Sequence, residues 1–330
     1  MKVSIITVCK NSEKTIERTI QGVLSQTYND IEYIIIDGDS SDRTKDIIRQ
    51  YTNHITRFIS EPDRGIYEAM NKGINLATGS FFYFSNSDDY LFDANVIQDL
   101  VQFVSHHPGC DFVYGDHEAR FISGDSKIYK PVLPEQLLEE MVCLGDDRVH
   151  QPTSLFKADL FKKVGLFSET YRIASDYEWF LRLLQDPTLK ICYYPRTIVS
   201  YAHGGASGNI RALFEEVFDI QNKIALCQRE DWLIKRVVKL QQMFVDKYEL
   251  LESTHKLAIA RESQIQSLEA NLTANPGSKI STLKAKISAL ELRIADLESV
   301  IEAMKTSKFW KLRSVWFRVK RILGLTTEES

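Results

Sequence analysis

The sequence predicts an α/β domain with a doubly wound, mostly parallel sheet, followed by a separate helical region. Three observations support this fold class. Apolar segments of strand length alternate with amphipathic helical segments through about the first 210 residues, which is the pattern of successive β-α units. Residues 81–84 (Phe-Phe-Tyr-Phe) are apolar at every position, as strands covered on both faces are. Beyond about residue 215 the alternation stops and long, charged helical sequence begins.

Hydrophobic periodicity places the individual elements of the first half. Strands are predicted at residues 3–8, 31–36, 55–59 and 81–84, of which the first and the last are expected to be buried. Helices are predicted from Ser12, with an apolar face of Ile16, Ile20, Val23 and Leu24, at 44–51, and from Ile66 to near Gly79. Because glycine is a natural C-terminal stop for a helix, the strand at 81–84 follows the last of these helices directly.

Composition limits the classes of function. The chain of 330 residues has a net charge of -4, which gives no overall reason to expect nucleic-acid binding. Its five cysteines are widely spaced and include no Cys-x-x-Cys pair, so we expect reduced thiols and no zinc site. The first apolar segment is too short for a signal peptide, and no apolar run is long enough to span a bilayer. We therefore expect a cytoplasmic protein.

Polar side chains follow three of the predicted strands. The segments are Cys9-Lys10-Asn11, Asp37-Gly38-Asp39 and Asn86-Ser87-Asp88-Asp89, and in an open parallel sheet such strand ends line one crevice. Asp88 and Asp89 have no basic neighbour within several residues, so we expect a cation there. Oxygen ligands favour Mg²⁺ or Mn²⁺, and a cation on Asp88 would bridge a diphosphate.

Simpler interpretations of these segments remain open. Asp88 or Asp89 would cap the following helix, and Asp37-Gly38-Asp39 would be an ordinary turn. If Asp37 instead faces the crevice, its carboxylate would accept hydrogen bonds from a base or a ribose. The sequence has no glycine-rich dinucleotide motif and no P-loop, so those two kinds of nucleotide site are not supported.

Five motifs, by their order and spacing, resemble the family 2 glycosyltransferases of the GT-A fold. They are Ser-Ile-Ile-Thr-Val-Cys-Lys-Asn at 4–11, Leu-Ser-Gln-Thr-Tyr at 24–28, Ile-Ile-Ile-Asp-Gly-Asp-Ser-Ser-Asp-Arg-Thr at 34–44, Glu-Pro-Asp-Arg-Gly-Ile-Tyr-Glu-Ala-Met-Asn-Lys-Gly at 61–73 and Asn-Ser-Asp-Asp at 86–89. The resemblance covers about residues 1–210 and is to enzymes of bacterial polysaccharide biosynthesis. It implies transfer of a sugar, with inversion, from a nucleotide diphosphate sugar to a glycan or lipid-linked acceptor.

The resemblance also implies a donor site, residue by residue. Asp88 is the expected metal ligand with Asp89 beside it, and Asn86 replaces the first aspartate of the Asp-x-Asp motif, where it would contact ribose or phosphate. Further donor contacts are expected from Val8, Lys10, Asp37, Asp39 and Arg64, with a late contact to metal or phosphate from His203. The alternatives are that Arg64 is a surface residue paired with Asp63 and that His203 is a solvated loop residue.

An acidic motif later in the chain is expected to supply the catalytic base. Residues 174–182, Ala-Ser-Asp-Tyr-Glu-Trp-Phe-Leu-Arg, resemble the family segment that begins a helix below the acceptor site. The resemblance implies that Asp176 takes the proton of the acceptor hydroxyl, with Glu178 in reserve, and that Trp179 and His150 line the acceptor site. Alternatively, a carboxylate at a helix N-terminus is favoured by the exposed N–H groups and the helix dipole, without any catalysis.

Residues 280–304 have the apolar spacing of a coiled coil. The side chains that step by three and four residues are Ile280, Leu283, Ile287, Leu290, Ile294, Leu297, Ile301 and Met304. Isoleucine at a and mainly leucine at d favours two parallel strands, so we expect a parallel homodimer. A helix packed back on its own catalytic domain is the alternative.

Residues 307–325 have the composition of a membrane-binding helix. They contain six basic residues, no acidic residue and the aromatic side chains Phe309, Trp310, Trp316 and Phe317. Cationic amphipathic helices of this kind lie in the interface of anionic membranes, so we expect a peripheral position on the inner face of a membrane. Docking of this helix on a partner protein is the alternative, and no supporting fold favours nucleic acid.

The sequence thus predicts four segments: a catalytic domain at 1–215, a helical connector at 216–275, a coiled coil at 276–305 and a basic amphipathic tail at 306–330. The predicted function is that of an inverting glycosyltransferase in surface polysaccharide or glycolipid synthesis. A non-catalytic nucleotide-sugar-binding scaffold, with the coiled coil as its working part, is the alternative function. Asn86 is the sequence feature that favours it.

Overall fold

The computed structural model describes residues 1–121, 124–144, 149, 151–202, 209–274 and 288–289. The chain forms two compact units, 1–236 and 237–330. Apart from residues 288–289, the predicted coiled coil lies outside the described residues, and so does the predicted amphipathic tail. None of the described helices combines the length and the hydropathy needed to cross a bilayer.

The first unit alternates strands and helices as the apolar periodicity predicts. The strands are β1 (Val3–Cys9), β2 (Ile31–Asp37), β3 (Arg57–Ser60), β4 (Phe81–Phe84), β5 (Tyr90–Leu91), β6 (Phe112–Arg120), β7 (Ser126–Tyr129), β8 (Ser154–Lys157) and β9 (Ile191–Ala202). The helices are α1 (Ile16–Leu24), α2 (Thr44–Arg49), α3 (Ile66–Leu76), α4 (Val96–His106), α5 (Pro134–Leu144), α6 (Asp159–Lys163), α7 (Ser175–Leu183) and α8 (Ile210–Lys223). A further long helix, α9 (Glu230–Ala274), begins in this unit and extends past residue 236.

Within the described residues, all the strands belong to one mixed sheet with the order β3-β2-β1-β4-β8-β6-β9-β5, and β7 pairs with β6. The half built from β1 to β4 is parallel, as predicted, with Cys9 opposite Asp37 and Ile6 opposite Phe84. Beyond β4 the sheet is not uniformly parallel. Strand β8 runs antiparallel to both β4 and β6, and β5 runs antiparallel to β9.

The central strands are apolar along their whole length because both faces of the sheet are covered. Ile6 and Phe84 belong to one buried cluster, whereas Ile5 and Tyr83 belong to the other. Helices α1 and α4 contribute to the second cluster, and α3 and α7 to the first. Because successive side chains of a strand point to opposite faces, two covered faces require an apolar residue at almost every position.

Close packing of α3 on β1 depends on a glycine. A Cβ at Gly73 would lie 2.5 Å from Cγ2 of Ile6, so a side chain at this position would push the helix off the sheet. Helix α3 carries Tyr67, which is buried against the same cluster. The glycine therefore sets how closely α3, which carries Tyr67, packs on β1.

An aromatic cluster anchors α7 to the sheet. Trp179 is 1% exposed and stacks on Phe161 with 4.6 Å between ring centroids. Its Nε1 donates a hydrogen bond to the carbonyl oxygen of Gly165 at 2.8 Å. Since burying a large aromatic residue with its polar atom satisfied is strongly stabilising, this cluster holds the start of α7 in place.

The expectation that all cysteines are reduced is contradicted for one pair. A disulfide joins Cys110 and Cys192, which are separated by 82 residues in the chain, with their Cα atoms 6.2 Å apart. The parallel pairing of β6 with β9 places Cys192 opposite Val113 and so brings the two cysteines together. Wide spacing along the chain does not reveal such an approach. Cys9, Cys143 and Cys227 are not part of this disulfide and are buried.

Candidate active site

A cleft of about 960 Å³ opens at the carboxyl ends of β1 and β4. Its walls come from the loops after these two strands, the start of α3, the start of α7 and one face of α8. Of the site residues predicted from sequence, those that line it are Val8, Lys10, Asn86, Asp88, Asp89 and Asp176. Elements that are far apart in the chain therefore meet here, as the strand order requires.

The loop after β1 is held by the loop after β2. Asn11 adopts a left-handed conformation with φ of 52°, which asparagine tolerates better than most residues. Its backbone N–H donates to Oγ of Ser40 at 2.8 Å, and its Oδ1 accepts from the backbone N–H of Ser41 at 2.9 Å. These bonds fix the cleft-lining backbone that follows β1.

Asp37 and Asp39 are not among the described residues that line the cleft. Asp37 is fully buried and accepts hydrogen bonds from the backbone N–H of Ser40 at 3.0 Å, from Oγ of Ser60 at 2.6 Å and from Oγ of Ser40. Asp39 has φ of 58° and pairs with Lys45 at 2.9 Å. Asp37 thus ties the turn to β3, which agrees with the simpler interpretation of this segment as a turn.

Asp63 is a cleft residue for which the sequence offered only a surface role. A Cβ at Gly38 would lie 2.2 Å from Oδ2 of Asp63, so the carboxylate would have to move if position 38 carried a side chain. Burial raises the pKa of Asp63, while the charges of Lys10 and Lys72 act in the opposite direction. In the sequence, Gly38 and the aspartate that follows Pro62 were the features that could have indicated a cleft position for Asp63.

Arg64, the next residue, pairs with other carboxylates. Its side chain is 76% exposed and pairs with Glu68 at 2.8 Å and with Glu169. It is therefore a surface arginine, although its partners differ from the Asp63 expected in the alternative interpretation. Arg64 is not among the described residues of the cleft wall.

The acidic motif after β4 is compact and partly buried. Asp89 is 5% exposed, and Nδ2 of Asn86 donates to its Oδ2 at 3.2 Å. Burial, followed by the charge of Asp88, raises the pKa of Asp89 to about 7, with opposing contributions from Asn86 and Arg120. A carboxyl with this pKa changes its charge near neutral pH.

The expectation that these carboxylates lack a basic neighbour holds only along the chain. Arg120, at the end of β6, donates from Nη2 to the backbone carbonyl of Asp88 at 2.8 Å. Its guanidinium lies 4.3 Å from the ring centroid of Tyr90, and that of Arg18 lies 3.7 Å from the same ring. Two cations thus flank an aromatic ring directly beside the acidic motif, an arrangement that sequence spacing did not indicate.

The donor atoms of the motif fit a hard divalent cation. Oδ1 of Asn86 is buried and has no hydrogen-bond partner within the described part of the chain, and the carboxylates of Asp88 and Asp89 face the same cleft. Oxygen ligands of this kind suit Mg²⁺ or Mn²⁺. Among the described residues, no cluster of three or more acidic, histidine or cysteine side chains could hold a metal. The protein would thus supply few ligands and leave positions for water and phosphate.

Asp176 lies at the first turn of α7 on the opposite wall of the cleft. Its Oδ1 accepts hydrogen bonds from the hydroxyl of Tyr67 at 2.8 Å and from the backbone N–H of Tyr177 at 3.0 Å. The same hydroxyl lies 2.6 Å from the carbonyl oxygen of Ile173. Tyr67, Ile173 and Asp176 all line the cleft, so the carboxylate is held in one orientation at its wall.

Glu178 and Trp179, which were also predicted near Asp176, are not among the described residues that line the cleft. Glu178 forms an ion pair with Arg182 at 2.7 Å, and Trp179 belongs to the aromatic cluster described above. His150 and His203 lie outside the described residues. Within the described chain, Asp176 is therefore the carboxylate of α7 that lines the cleft.

Helix α8 forms an apolar wall that the sequence motifs did not include. Leu213, Phe214 and Val217 line the cleft from this helix. Phe214 is 52% exposed, and Phe218, one turn later, is 61% exposed. The cleft consequently has a charged side at the strand ends and an apolar side at α8.

Comparison with known proteins agrees with this fold and identifies its family. The family model of Glycosyl transferase family 2 matches residues 4–165. A PGL/p-HBAD biosynthesis glycosyltransferase of Mycobacterium tuberculosis is 29% identical over 212 residues, which is 62% of this chain and 78% of that protein. An uncharacterized glycosyltransferase of the same species is 31% identical over 181 residues, covering 54% of this chain and 68% of that protein.

Among solved structures, Staphylococcus aureus TarS 1–349 in complex with UDP-GlcNAc has a TM-score of 0.54 at 18% identity, over 69% of this chain and 66% of that one. At this identity the likeness concerns the fold. The chain belongs to glycosyl transferase family 2. It is therefore a glycosyltransferase.

The raised pKa of Asp89 predicts a pH-dependent stability. Between its ordinary value of 3.8 and its folded value of about 7, the folded state holds a proton that the unfolded state has lost, so the contribution of Asp89 to the free energy of unfolding falls as pH rises across this window. Asp89→Asn should therefore stabilise the protein more at pH 8 than at pH 5, by about 2.5 kcal/mol. Urea denaturation in a chelating buffer measures the difference.

The exposed Asp39→Asn provides a matched control, for which we expect no such pH-dependent difference. An equal effect of Asp89→Asn at both pH values would show that Asp89 is charged throughout the range.

Proposed function

We propose that the protein is a metal-dependent, inverting glycosyltransferase that moves a sugar from a nucleotide diphosphate sugar to a glycan or lipid-linked acceptor in surface polysaccharide or glycolipid synthesis. One observation carries this proposal: a single cleft has the oxygen-rich motif of Asp88 and Asp89 on one wall and the oriented carboxylate of Asp176 on another. Sugar transfer needs both, because a diphosphate leaves as a hydroxyl gives up its proton.

The donor side would hold the nucleotide diphosphate. Asp88, Asp89 and Oδ1 of Asn86 are the groups that would bind Mg²⁺ or Mn²⁺. The bound cation would offset the negative charge of the diphosphate. Lys10 lines the same part of the cleft and would add a positive charge, while Val8 would lie under the base.

The acceptor side would supply the general base. The acceptor hydroxyl gives its proton to Asp176 as its oxygen bonds to the anomeric carbon, and the bond from that carbon to the diphosphate oxygen breaks. A single displacement of this kind inverts the configuration of the sugar. The hydroxyl of Tyr67, at 2.8 Å from Oδ1, keeps the carboxylate oriented for this step.

An apolar acceptor agrees with the wall formed by α8. Phe214 lines the cleft and remains 52% exposed, so it would contact a lipid or another apolar part of the acceptor next to the reacting hydroxyl. Relatives named for PGL/p-HBAD biosynthesis support the same class of process. The complex of TarS with UDP-GlcNAc makes this nucleotide sugar the first donor to test.

Self-association and membrane contact complete the proposal and rest on sequence alone. The heptad pattern of 280–304 supports a parallel homodimer, and the basic aromatic segment 307–325 supports binding to an anionic surface on the cytoplasmic face of a membrane. Two copies of that segment in a dimer would raise the avidity.

Asp176→Asn should lower turnover by about 10²- to 10⁴-fold, because the amide cannot accept the acceptor proton. The measurement is release of nucleoside diphosphate from a panel of nucleotide sugars that begins with UDP-GlcNAc, in Mn²⁺, with water as acceptor. UDP affinity should stay unchanged. Glu178→Gln, which alters a carboxylate paired with Arg182, is the control and should retain most of the activity.

Two other outcomes would decide against this proposal. Tight UDP binding by the wild type without turnover of any donor would favour the nucleotide-sugar-binding scaffold, which the asparagine at position 86 supports. Loss of activity in Glu178→Gln alone would move the base to that residue.

Mn²⁺ should bind about tenfold more tightly at pH 8 than at pH 6, because Asp89, with a pKa of about 7, must lose its proton before it can act as a ligand. Titration calorimetry with MnCl₂ alone measures the affinity. Asp89→Asn should remove the pH dependence, and Asp88→Asn should weaken binding at both pH values. The absence of any Mn²⁺ binding by the wild type would refute the metal site.

Deletion of residues 307–330 should abolish co-sedimentation with phosphatidylglycerol vesicles, because it removes the six basic and four aromatic side chains of 307–325. Donor hydrolysis should remain, since the cleft lies in the first unit. Vesicles of phosphatidylcholine serve as the control surface. Unchanged sedimentation of the shortened chain would exclude this segment as the anchor.

A further inference from the structure

We propose that Glu216, on α8, is a positioning residue for Asp176. This inference rests on the proposed function, in which Asp176 is the general base. It assigns to Glu216 the task of fixing the backbone segment 172–174, which leads into α7, so that the carboxylate of Asp176 stays at the wall of the cleft.

The carboxylate of Glu216 receives three consecutive backbone N–H groups. Oε1 accepts from Arg172 at 2.9 Å, and Oε2 accepts from Ile173 and from Ala174, each at 2.9 Å. Hydrogen bonds to an ionised acceptor are about twice as strong as neutral ones. One side chain thereby determines the path of three residues.

The segment cannot replace these bonds from its own side chains. Ala174 is the N-cap residue of α7 and makes no side-chain capping bond, since alanine has no acceptor to offer. Helix starts usually satisfy their free N–H groups with a side chain from the cap position. Here a residue of a different helix, 42 positions further along the chain, takes over that task for the residues before the helix.

Movement of the segment 172–174 would change the position of Asp176 through its contact with Tyr67. The carbonyl oxygen of Ile173 and Oδ1 of Asp176 share the Tyr67 hydroxyl, at 2.6 and 2.8 Å. Because the backbone N–H of Ile173 is bound to Glu216, a shift at position 173 would move a group that contacts the same hydroxyl as the base. The bonds from Glu216 and from Tyr67 therefore hold the segment from two sides.

Two further hydrogen bonds connect α8 to residues near Asp176. The hydroxyl of Tyr171 donates to Oδ2 of Asp219 at 3.0 Å, one turn after Glu216. Nε2 of Gln221 donates to the hydroxyl of Tyr177 at 2.9 Å, just after Asp176. Helix α8 thus binds the chain on both sides of the base.

The same helix forms the apolar wall of the cleft. Leu213 and Val217 line the cleft on either side of Glu216 in sequence, while Glu216 itself holds the segment 172–174. An acceptor that packs against α8 would consequently contact the element that positions the base. Acceptor binding and base alignment would depend on one helix.

Glu216→Gln is the decisive variant, because it keeps the size of the side chain but replaces one acceptor oxygen with an NH₂ group. We expect turnover in donor hydrolysis to fall by about 10- to 100-fold, because a small misplacement of a reacting group lowers the rate by this order of magnitude. The affinity for UDP and the KM for the donor should change less than about twofold, since the donor side of the cleft is untouched. Glu216→Asp keeps the charge on a shorter side chain. Its turnover should lie between those of the wild type and Glu216→Gln.

Hydrogen exchange of the full chain tests the geometry without any turnover. Peptides that contain residues 172–174 should exchange faster in Glu216→Gln than in the wild type, while peptides from β1 should be unchanged. Glu215→Gln is the matched control, since that carboxylate is 59% exposed and pairs with Arg211 at 3.1 Å. It should alter neither exchange nor turnover.

The outcomes separate this inference from the proposed function. Wild-type turnover in Glu216→Gln, or unchanged exchange at 172–174, would overturn the positioning role and leave the glycosyltransferase proposal standing. Absence of turnover in the wild type would overturn both. A parallel loss of UDP affinity and turnover in Glu216→Gln would show that the residue supports the fold of the whole domain and would also overturn the positioning role.

Discussion

Two adjacent carboxylates at the end of an apolar central strand are the constraint around which this cleft is arranged. Asp88 and Asp89 follow β4, and Asp89 is almost fully buried. Burying a charge is costly unless it is compensated, and the protein compensates in several ways: a raised pKa at Asp89, an amide from Asn86 and the guanidinium of Arg120. Oδ1 of Asn86 has no hydrogen-bond partner in the described chain, so one buried polar atom of the motif remains unsatisfied.

On the wall of the cleft formed by α7, a single carboxylate, that of Asp176, is positioned by hydrogen bonds that involve the backbone. Helix α7 packs into the aromatic cluster around Trp179, and Glu216 of α8 binds the segment that leads into α7. Both contacts are tertiary, so the orientation of Asp176 depends on packing between elements that are distant in sequence. A rigid support of this kind is what a general base needs to meet its substrate reproducibly.

The sequence predicted the parallel half of the sheet well because β1 to β4 are covered on both faces. Continuous apolar runs with polar ends, as at Phe84 followed by Asn86, permit few other structures. Register and strand direction beyond β4 were not predictable, since β8 and β9 pair with strands that are distant in the chain.

The position of a residue at the cleft was predictable where it follows from the end of a strand or the start of a helix, as at Asp88 and Asp176. The sequence did not predict the placement of side chains whose direction is set by neighbours in the fold. Asp37 turns inward because Ser40 and Ser60 satisfy its carboxylate, and Trp179 is buried because α7 is covered on more than one side. Arg120 and Glu216 act on segments from which they are distant in sequence, so only the folded chain reveals their roles.

The Tyr67 hydroxyl has one proton and two neighbouring acceptors, the carbonyl of Ile173 and the carboxylate of Asp176. A hydroxyl can donate once and also accept. When Asp176 is ionised, Tyr67 can donate to it; once the carboxyl has gained a proton, Tyr67 can turn its donor to the carbonyl and accept from the new O–H. Rotation of the Tyr67 hydroxyl would thus give Asp176 a hydrogen-bond partner both before and after it takes up a proton, without any movement of the main chain.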